Sequence, residues 1–242
     1  MAVAPVIPRS VLADQVKDRI LEGILSGYYA PDSRIVETQV ARELGTSQAP
    51  VREALRGLEA LGVVEITPFR GARVRRPSRR EIIEAYAVRS TLEALAARLA
   101  VPRMADAEVA ELAGYLEAMR AAARNDDGRG VAEADARFHG RIVELADNGT
   151  LERVWGTLEP FSRTYITLVV PGADPTWSAD LHVPIMAAVE RRDPDAVVLA
   201  LERHFDEVRD NMARRWPDEA PEPSVTPETP ATARPPRTGR NA

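Results

Sequence analysis

Hydrophobic positions in the first third of the chain recur with the spacing of short helices. A first helix ending near Ser26 is indicated by apolar residues at every fourth position: Leu12, Val16, Ile20 and Ile24. Two more helices are predicted over about 37–44 and 48–61, each followed by a glycine. Two β-type runs, VVEIT and ARVRR, then flank PFRG, which predicts a hairpin turning at Gly71. Three short helices and a hairpin together predict a winged helix-turn-helix.

From residue 78 to residue 216 the apolar positions have helical spacing almost throughout. The start of the last helix is the best marked, because Asp193 supplies an N-cap and Pro194 a proline at the first helical position. No strand is predicted here, so the region is predicted to form an all-α six-helix bundle. The fold class is therefore mainly α, a winged helix-turn-helix followed by helices over about 79–102, 106–124, 128–146, 149–169, 178–191 and 194–216.

Both ends of the chain lack the apolar positions that a packed element needs. Residues 1–8 are predicted to form a flexible arm. From Pro217 the sequence is rich in proline, alanine and threonine, and it cannot bury enough apolar surface to order itself. The predicted division is an arm over 1–8, a winged-helix domain over 9–77, a helical domain over 78–216 and a disordered Pro-rich tail over 217–242.

Composition narrows the class of protein. The length of 242 residues is enough for one large domain or two modest ones, and the 45% hydrophobic content is enough for a sizeable core. Cysteine is absent, which excludes a disulfide framework or thiolate metal site and suits a reducing cytoplasm. No run approaches the roughly 18 apolar residues of a membrane span, and no signal peptide is evident. A cytoplasmic protein without a membrane partner is expected.

The distribution of charge is more informative than the net charge of −5. Residues 1–78 hold 11 basic and 9 acidic side chains, whereas residues 79–216 hold 18 and 24. The first third is therefore mildly basic and the helical region acidic. A small basic excess indicates a nucleic-acid partner only if the basic groups share one face.

The helix predicted over 48–61 has one apolar and one polar face. Gln48, Arg52 and Arg56 recur at intervals of four and lie opposite the apolar positions. In a helix-turn-helix, the N-terminal part of the second helix enters the major groove, where arginine pairs with guanine and glutamine with adenine. A solvated helix face is the alternative explanation of this pattern.

The predicted hairpin adds a second basic feature. It carries four arginines that suit phosphates or a minor groove: Arg70, Arg73, Arg75 and Arg76. Because this wing follows the polar helix face directly, the two features together favour binding to double-stranded DNA over an ordinary solvated surface.

The run RIVETQVARELGTSQAPVREALRGLEALGVVEITPFRGARV resembles the winged-helix domain of GntR-family bacterial transcription regulators. The helical region after it is similar to the FCD effector domain of the FadR subfamily, so the resemblance covers roughly residues 9–216. It implies a homodimer that binds a palindromic operator and responds to a small metabolite through the helical domain. Repression relieved by the ligand is expected, because an effector need only misplace the recognition helices, and activation is the alternative.

The resemblance also assigns DNA contacts to particular positions. Many members of the family have arginine where this chain has Gln48, so Arg52 is the better candidate for reading a base. Pro50 has no side-chain donor and could make only an apolar contact. The full predicted surface joins the positions that match the family to nearby arginines: Thr38, Ser47, Gln48, Pro50, Arg52, Arg56, Arg70, Gly71 and Arg73.

The chain has three histidines, each predicted on the inward face of a different helix: His139, His182 and His204. In the stretch DARFHGRIVELAD, Asp135 precedes His139 by four residues and therefore shares its face. A buried imidazole needs a hydrogen-bond partner or a ligand. Three imidazoles and one carboxylate suit a divalent ion such as Zn²⁺, Ni²⁺ or Mn²⁺. Three separately paired core histidines are the alternative that spacing leaves open.

Resemblance to a large group of FCD domains favours the metal. These domains have Asp-x3-His on one helix and single histidines on two later helices, and all four positions match here. The resemblance implies a small organic acid bound directly to the ion. Arg89 matches an arginine common in these domains and would clamp the carboxylate of that acid. An ion pair between Arg89 and Glu93 is the alternative.

Two other functions use the same residues. A metal-responsive regulator would have the same four ligands, with the ion itself as the signal. A metalloenzyme could activate water at an open metal position, but the sequence has no evident general base, nucleophile motif or phosphate loop. A fused DNA-binding domain would also be unexplained, so a regulator that is not an enzyme is the favoured interpretation.

Overall fold

The computed structural model describes residues 9–68, 70–168 and 174–215. The arm predicted over 1–8 and the tail predicted over 217–242 lie outside these residues. The three predicted helices and the predicted hairpin are present in the first part of the chain. Its elements are α1 (Arg9–Leu25), β1 (Arg34–Ile35), α2 (Glu37–Glu43), α3 (Gln48–Ala60), β2 (Val64–Thr67) and β3 (Gly71–Val74).

Strand β1 is an addition to the predicted hairpin. It pairs antiparallel with β3, so the strand order is β1-β3-β2 and the wing has three strands. Two residues are too few to show the alternation of apolar and polar positions that predicts a strand. Ile35 of β1 is almost completely buried and faces the same core as Ala72 of β3.

The hydrophobic core of the first unit fixes the orientation of α3. Burial of a single large apolar side chain stabilises a fold by roughly 1.5–3 kcal/mol, so the apolar face of α3 must point inward. Its polar face then points to solvent. The core consists mainly of Val16, Ile20, Ile24, Val51, Leu55, Leu58, Val64 and Val74.

The helical unit begins at a capping box, in which the Ser78 side chain accepts from the Glu81 amide and the Glu81 side chain accepts from the Ser78 amide. The predicted fold class, mainly α with a winged helix-turn-helix and a helical bundle, is confirmed. The helices are α4 (Arg79–Ala100), α5 (Asp106–Arg124), α6 (Gly128–Leu145), α7 (Gly149–Leu168), α8 (Pro175–Asp180), α9 (Val183–Glu190) and α10 (Pro194–Arg215).

The single helix predicted over 178–191 is wrong in detail, because two short helices occupy this stretch. Helix α8 starts earlier than predicted, with Asp174 as its N-cap and Pro175 in its first turn. Helix α8 cannot continue through Pro184, because the proline ring would clash with the carbonyl group of residue 180. The chain therefore turns at Leu181 and His182 and restarts as α9.

The long helices pack around one core with small residues at their closest approaches. Ala96, Ala97 and Ala100 of α4 are essentially buried, and Phe138 of α6 and Phe205 of α10 are buried in the same core. Small side chains let the helix backbones approach one another, which brings α4, α6 and α10 close to a common centre. Among the described residues, no helix is both long and apolar enough to cross a membrane.

Candidate metal centre and DNA-binding surface

The helical unit brings together the four side chains predicted to hold a metal. Each offers one ligand atom, and these atoms lie within 4.8 Å of one another in a buried cluster: Asp135, His139, His182 and His204. Asp135 and His139 share the inward face of α6, and His204 lies on α10. His182 instead occupies the N-cap of α9, so the break between α8 and α9 places its ring in the cluster.

Hydrogen bonds orient two of the imidazole rings. Nδ1 of His139 lies 2.5 Å from Oε2 of Glu93, and Nδ1 of His182 lies 3.0 Å from the carbonyl oxygen of Ser178. Both partners are acceptors when the carboxylate is ionised, so we assign the donated proton to Nδ1 in each ring. The Nε2 atoms of both rings then carry free lone pairs.

These free nitrogen atoms converge with a carboxylate oxygen. Nε2 of His139 lies 3.1 Å from Nε2 of His182, and Oδ1 of Asp135 lies 3.0 Å from the latter atom. Two neutral nitrogen atoms at this distance repel one another unless a proton or a cation lies between them. Two ligands that are each about 2.1 Å from one ion lie roughly 3.0–3.4 Å apart at ordinary coordination angles.

His204 supplies an independent observation. Its Nδ1 atom is buried and has no hydrogen-bond partner among the described residues. A buried polar atom without a partner costs roughly 1–3 kcal/mol. The cluster therefore fits a divalent ion that accepts nitrogen and oxygen ligands, and Zn²⁺, Ni²⁺ and Mn²⁺ all meet that description.

Glu93 on α4 is a functional candidate that the sequence prediction considered only as a partner for Arg89. One oxygen of its carboxylate accepts from Nε and Nη2 of Arg89, at 3.1 and 2.9 Å, and from Nε1 of Trp155 at 2.7 Å. The other oxygen accepts from His139. A charged residue inside the alanine-rich face of α4 was the available signal, because a carboxylate there must be buried.

The electrostatic environment keeps both carboxylates ionised. Burial alone would raise the pKa of the Glu93 carboxyl, but His139 and Arg89 outweigh burial and lower that pKa to about 2. The pKa of Asp135 is also lowered, because His139 and His182 outweigh its burial. Burial lowers the pKa of His204 well below its usual value, so this ring is neutral and able to bind a metal.

A cavity of about 60 Å³ adjoins the cluster. That is room for roughly four to six water molecules, or for an organic molecule of similar size. Arg89 lines this cavity beside the proposed ligands, although it is only 3% exposed and pairs with Glu93. Arg89 therefore has the surroundings that each of its two sequence interpretations requires, a cavity for an acid and an ion pair with Glu93. The walls include Tyr86, Trp177, Phe205 and Asn211, none of which the sequence had nominated.

The polar face of α3 is exposed, as its predicted role requires. Nε of Arg52 lies 2.6 Å from Oε2 of Glu37 on α2, and its Nη2 donates to Gln48 at 3.0 Å. The Arg52 side chain is 56% exposed, and an exposed ion pair of this kind contributes about 0.2–1 kcal/mol. Arg52 can therefore exchange Glu37 for a DNA group at little cost. Arg56, one turn further along α3, is also exposed.

The residues at the starts of α2 and α3 differ in exposure. Thr38 is exposed in the first turn of α2, and Ser47 is exposed at the N-cap of α3 without a side-chain capping bond. Pro50, which the sequence limits to an apolar contact, is buried in the first turn of α3. Its ring packs inward there and presents almost no surface to a DNA partner.

The four arginines predicted for the wing differ in their ion pairing. Arg70 and Arg73 are exposed, and Gly71 between them has φ of +85°, a conformation that glycine adopts without strain. Arg75 instead pairs with Glu81, and Nε of Arg76 lies 2.8 Å from Oδ2 of Asp32. These two arginines tie the wing to its own neighbours.

Two protein-family models match the chain. The model described as "Bacterial regulatory proteins, gntR family" matches residues 12–74, and the model described as "FCD domain" matches residues 84–207. The first range coincides with the winged helix-turn-helix. The second includes Arg89, Glu93 and all four proposed metal ligands.

Similar proteins span nearly the whole of both units. The chain is 36% identical to a "Probable D-xylose utilization operon transcriptional repressor" of Paenarthrobacter nicotinovorans, over 82% of this chain and 87% of that protein. It is 27% identical to the gluconate operon transcriptional repressor of Bacillus subtilis, over 80% and 82% of the two chains.

Solved structures have the same fold. A GntR transcriptional regulator from Rhodococcus sp. RHA1 superposes with a TM-score of 0.76 at 21% identity, over 85% of this chain and 99% of that one. E. coli McbR/YncC superposes with a TM-score of 0.72, also at 21% identity, over 88% and 100% of the two chains. At this identity the likeness concerns the fold.

Proposed function

Because this chain belongs to the GntR family of bacterial regulatory proteins and carries an FCD domain, we propose that it represses transcription as a homodimer on a palindromic operator. Membership of the family makes it a DNA-binding transcription regulator and not an enzyme. Repression is supported by the names of its relatives in P. nicotinovorans and B. subtilis, which are both operon repressors.

The DNA affinity of this repressor is proposed to depend on a small organic acid. The observation that carries this proposal is the cavity beside the Asp135–His139–His182–His204 cluster, since a pure metal sensor would need no space next to its ion. The charges of Arg89 and Glu93 cancel, so a divalent ion with Asp135 would leave the site with a net charge of about +1. A small carboxylate is complementary to that charge and to the cavity volume.

Helix α4 offers a route from the cavity to the wing. It carries Arg89 and Glu93 in its middle, and its first turn contains Glu81, which pairs with Arg75 at the end of the wing. An acid that draws Arg89 away from Glu93 would change the charges that hold α4 against α6. The proposed regulation is thus a coupling between the acid site and the spacing of the two winged helices in the dimer.

The dimer surface is proposed to include the outer face of α4. Val88 is 49% and Leu95 43% exposed, and the half-buried Leu92 and Leu99 continue the same stripe at intervals of three and four residues. Val154 of the adjacent α7 is 43% exposed. Contiguous apolar surface of this kind marks an interaction site.

The first test is the metal content of purified, dialysed protein. About one ion per chain is expected, with loss of the ion in the double variant His182→Ala/His204→Ala. Asp135→Asn should also weaken binding, whereas Asp180→Asn, the same change at an exposed position on α8, should not. Wild-type protein that binds no Zn²⁺, Ni²⁺ or Mn²⁺ would refute the metal centre.

The second test measures affinity for operator DNA with metal-loaded protein and a panel of small carboxylates. At least one acid of about four to six non-hydrogen atoms should change the affinity, and Arg89→Lys should abolish its effect because lysine cannot form a bidentate pair. Arg98→Lys, an exposed position on the same helix, is the matched control. If affinity follows the free metal concentration and no acid changes it, the protein is a metal sensor instead.

A further inference from the structure

The three-stranded wing includes Arg34, an arginine that lies outside the predicted hairpin. Of the four arginines in and beside the hairpin, Arg75 pairs with Glu81 and Arg76 with Asp32. Arg70 and Arg73 are exposed and form no ion pair with any residue that the structure describes. Strand β1 precedes α2 in the chain, lies next to β3 and contributes Arg34 to the wing.

The register of the sheet places Arg34 on the outer face of the wing. Its Cα pairs with that of Arg73, whose other neighbour across the sheet is Glu65 on β2. All three side chains are exposed. The next residues in register, Ile35 and Ala72, are buried on the opposite face, so Arg34 and Arg73 both point to solvent.

Two arginines directly opposite one another on adjacent strands are unfavourable for the sheet itself. Arg73 has at least Glu65 as a cross-strand neighbour of opposite charge and a long bond of 3.4 Å to the carbonyl oxygen of Asp32. Arg34 makes no hydrogen bond or ion pair with any described residue. The fold therefore holds an uncompensated cation at the edge of the wing, where an anion would remove the repulsion.

The guanidinium of Arg34 lies against the tip of the wing. A Cβ atom added to Gly71 would be 3.4 Å from both Nε and Nη2 of Arg34. Gly71 itself has a φ of +85°, and the guanidinium lies beside it. This contact brings the charge of Arg34 to the same turn that carries Arg70.

We propose that Arg34 binds a DNA phosphate and forms, with Arg70 and Arg73, a three-arginine phosphate-binding face of the wing. The proposal rests on the DNA binding of the winged helix-turn-helix described above. A phosphate contact is independent of base sequence, so it contributes equally to operator and non-operator DNA. Arg34 would then anchor the wing, while the exposed face of α3 reads bases.

The test uses a labelled 30-base-pair duplex of random sequence, because a phosphate contact needs no operator. The dependence of affinity on salt is measured for wild type and for Arg34→Ala between 50 and 200 mM potassium chloride. Each lost phosphate contact should reduce the slope of log K against log salt by about 0.9, and it should weaken binding at 50 mM by about tenfold. Arg34→Lys should retain most of the slope, since lysine also neutralises a phosphate.

Arg137→Ala is the matched control, because it removes the same charge from an exposed position on α6. It should leave the salt slope unchanged. Arg34→Ala should melt at the wild-type temperature or slightly above it, since it relieves the repulsion from Arg73. A wild-type slope in a folded Arg34→Ala protein would overturn the role of Arg34, and a wild-type slope in Arg73→Ala as well would overturn the phosphate-binding face as a whole. Failure of the wild type to bind the duplex would instead overturn the DNA-binding role of the whole wing.

Discussion

Glu93 is the residue on which the geometry of the proposed metal site depends most. Its carboxylate bonds simultaneously to Arg89, His139 and Trp155, so it fixes the ring of His139 and the position of the guanidinium at once. Partners of this kind, one bond removed from the metal, orient the ligand ring and keep it in the correct tautomer. The spacing of Asp135, His139, His182 and His204 does not predict this role of Glu93.

Replacement of Glu93 tests that dependence. Glu93→Gln should lower the affinity for Zn²⁺ by about 10- to 100-fold, because an amide holds Nδ1 of His139 less strongly than a carboxylate does. Affinity is measured by competition with a chromophoric chelator. Glu84→Gln, an exposed position on the same helix, should bind like the wild type.

The effect of Glu93→Gln on the stability of the fold must be separated from its effect on the orientation of the His139 ring. Glu93→Gln leaves Arg89 buried without a counter-charge, at a cost of about 3–5 kcal/mol in the free energy of unfolding. The double variant Arg89→Met/Glu93→Gln removes both charges and should recover much of that stability while still binding Zn²⁺ weakly. Wild-type affinity in the double variant would mean that packing alone positions His139.

At the scale of elements, hydrophobic periodicity predicts long helices well and irregular connections poorly. Helices α5 and α6 begin and end within a residue or two of their predicted bounds, because many apolar positions repeat there. The division between α8 and α9 depends on one steric clash at Pro184, and strand β1 depends on pairing with residues almost forty positions away. Neither cause is visible as a local pattern.

The same difference applies to the candidate sites. The four metal ligands could be predicted because helical spacing and the resemblance place them inward, but the position of His182 at a helix start could not. Contacts across the fold, such as Glu93 to His139 and Arg34 to Gly71, join residues that are distant in sequence. Pro50 was predicted to contact DNA from its position in the motif alone, whereas packing buries it.

Two serines at helix starts allow the contribution of a cap to be measured. Ser78 at the N-cap of α4 accepts from the amide of Glu81, whereas Ser47 at the N-cap of α3 makes no such bond. Ser78→Ala should therefore cost about 1 kcal/mol in the free energy of unfolding of the helical unit. Ser47→Ala should cost a few tenths at most, and it should instead weaken DNA binding. The measurement is urea unfolding followed by circular dichroism, and equal losses in the two variants would contradict this account.

At the scale of the whole molecule, α4 is the element that the two units share. It starts beside the wing, contributes Arg89 and Glu93 to the buried cluster and exposes its apolar stripe on the outside. A change at the proposed acid site would therefore act on the same helix that is proposed to meet the partner protomer. In that arrangement, a small shift of α4 would leave the internal structure of each unit unaltered. It would still change the distance between the two recognition helices of the dimer.

The oligomeric state provides the test of that arrangement, because a charge in the apolar stripe should separate the protomers. Leu95→Glu places a carboxylate in the middle of the outer face of α4 and should give a monomer in sedimentation velocity, whereas the wild type is expected to be a dimer. Leu199→Glu makes the same change at a residue of α10 that is 48% exposed, and it should remain a dimer. The Leu95→Glu monomer should keep its metal, since the four proposed ligands come from one chain, but it should lose affinity for an operator that two wings must hold together. A dimeric Leu95→Glu protein would place the interface elsewhere, and regulation through α4 would then have to act within one protomer.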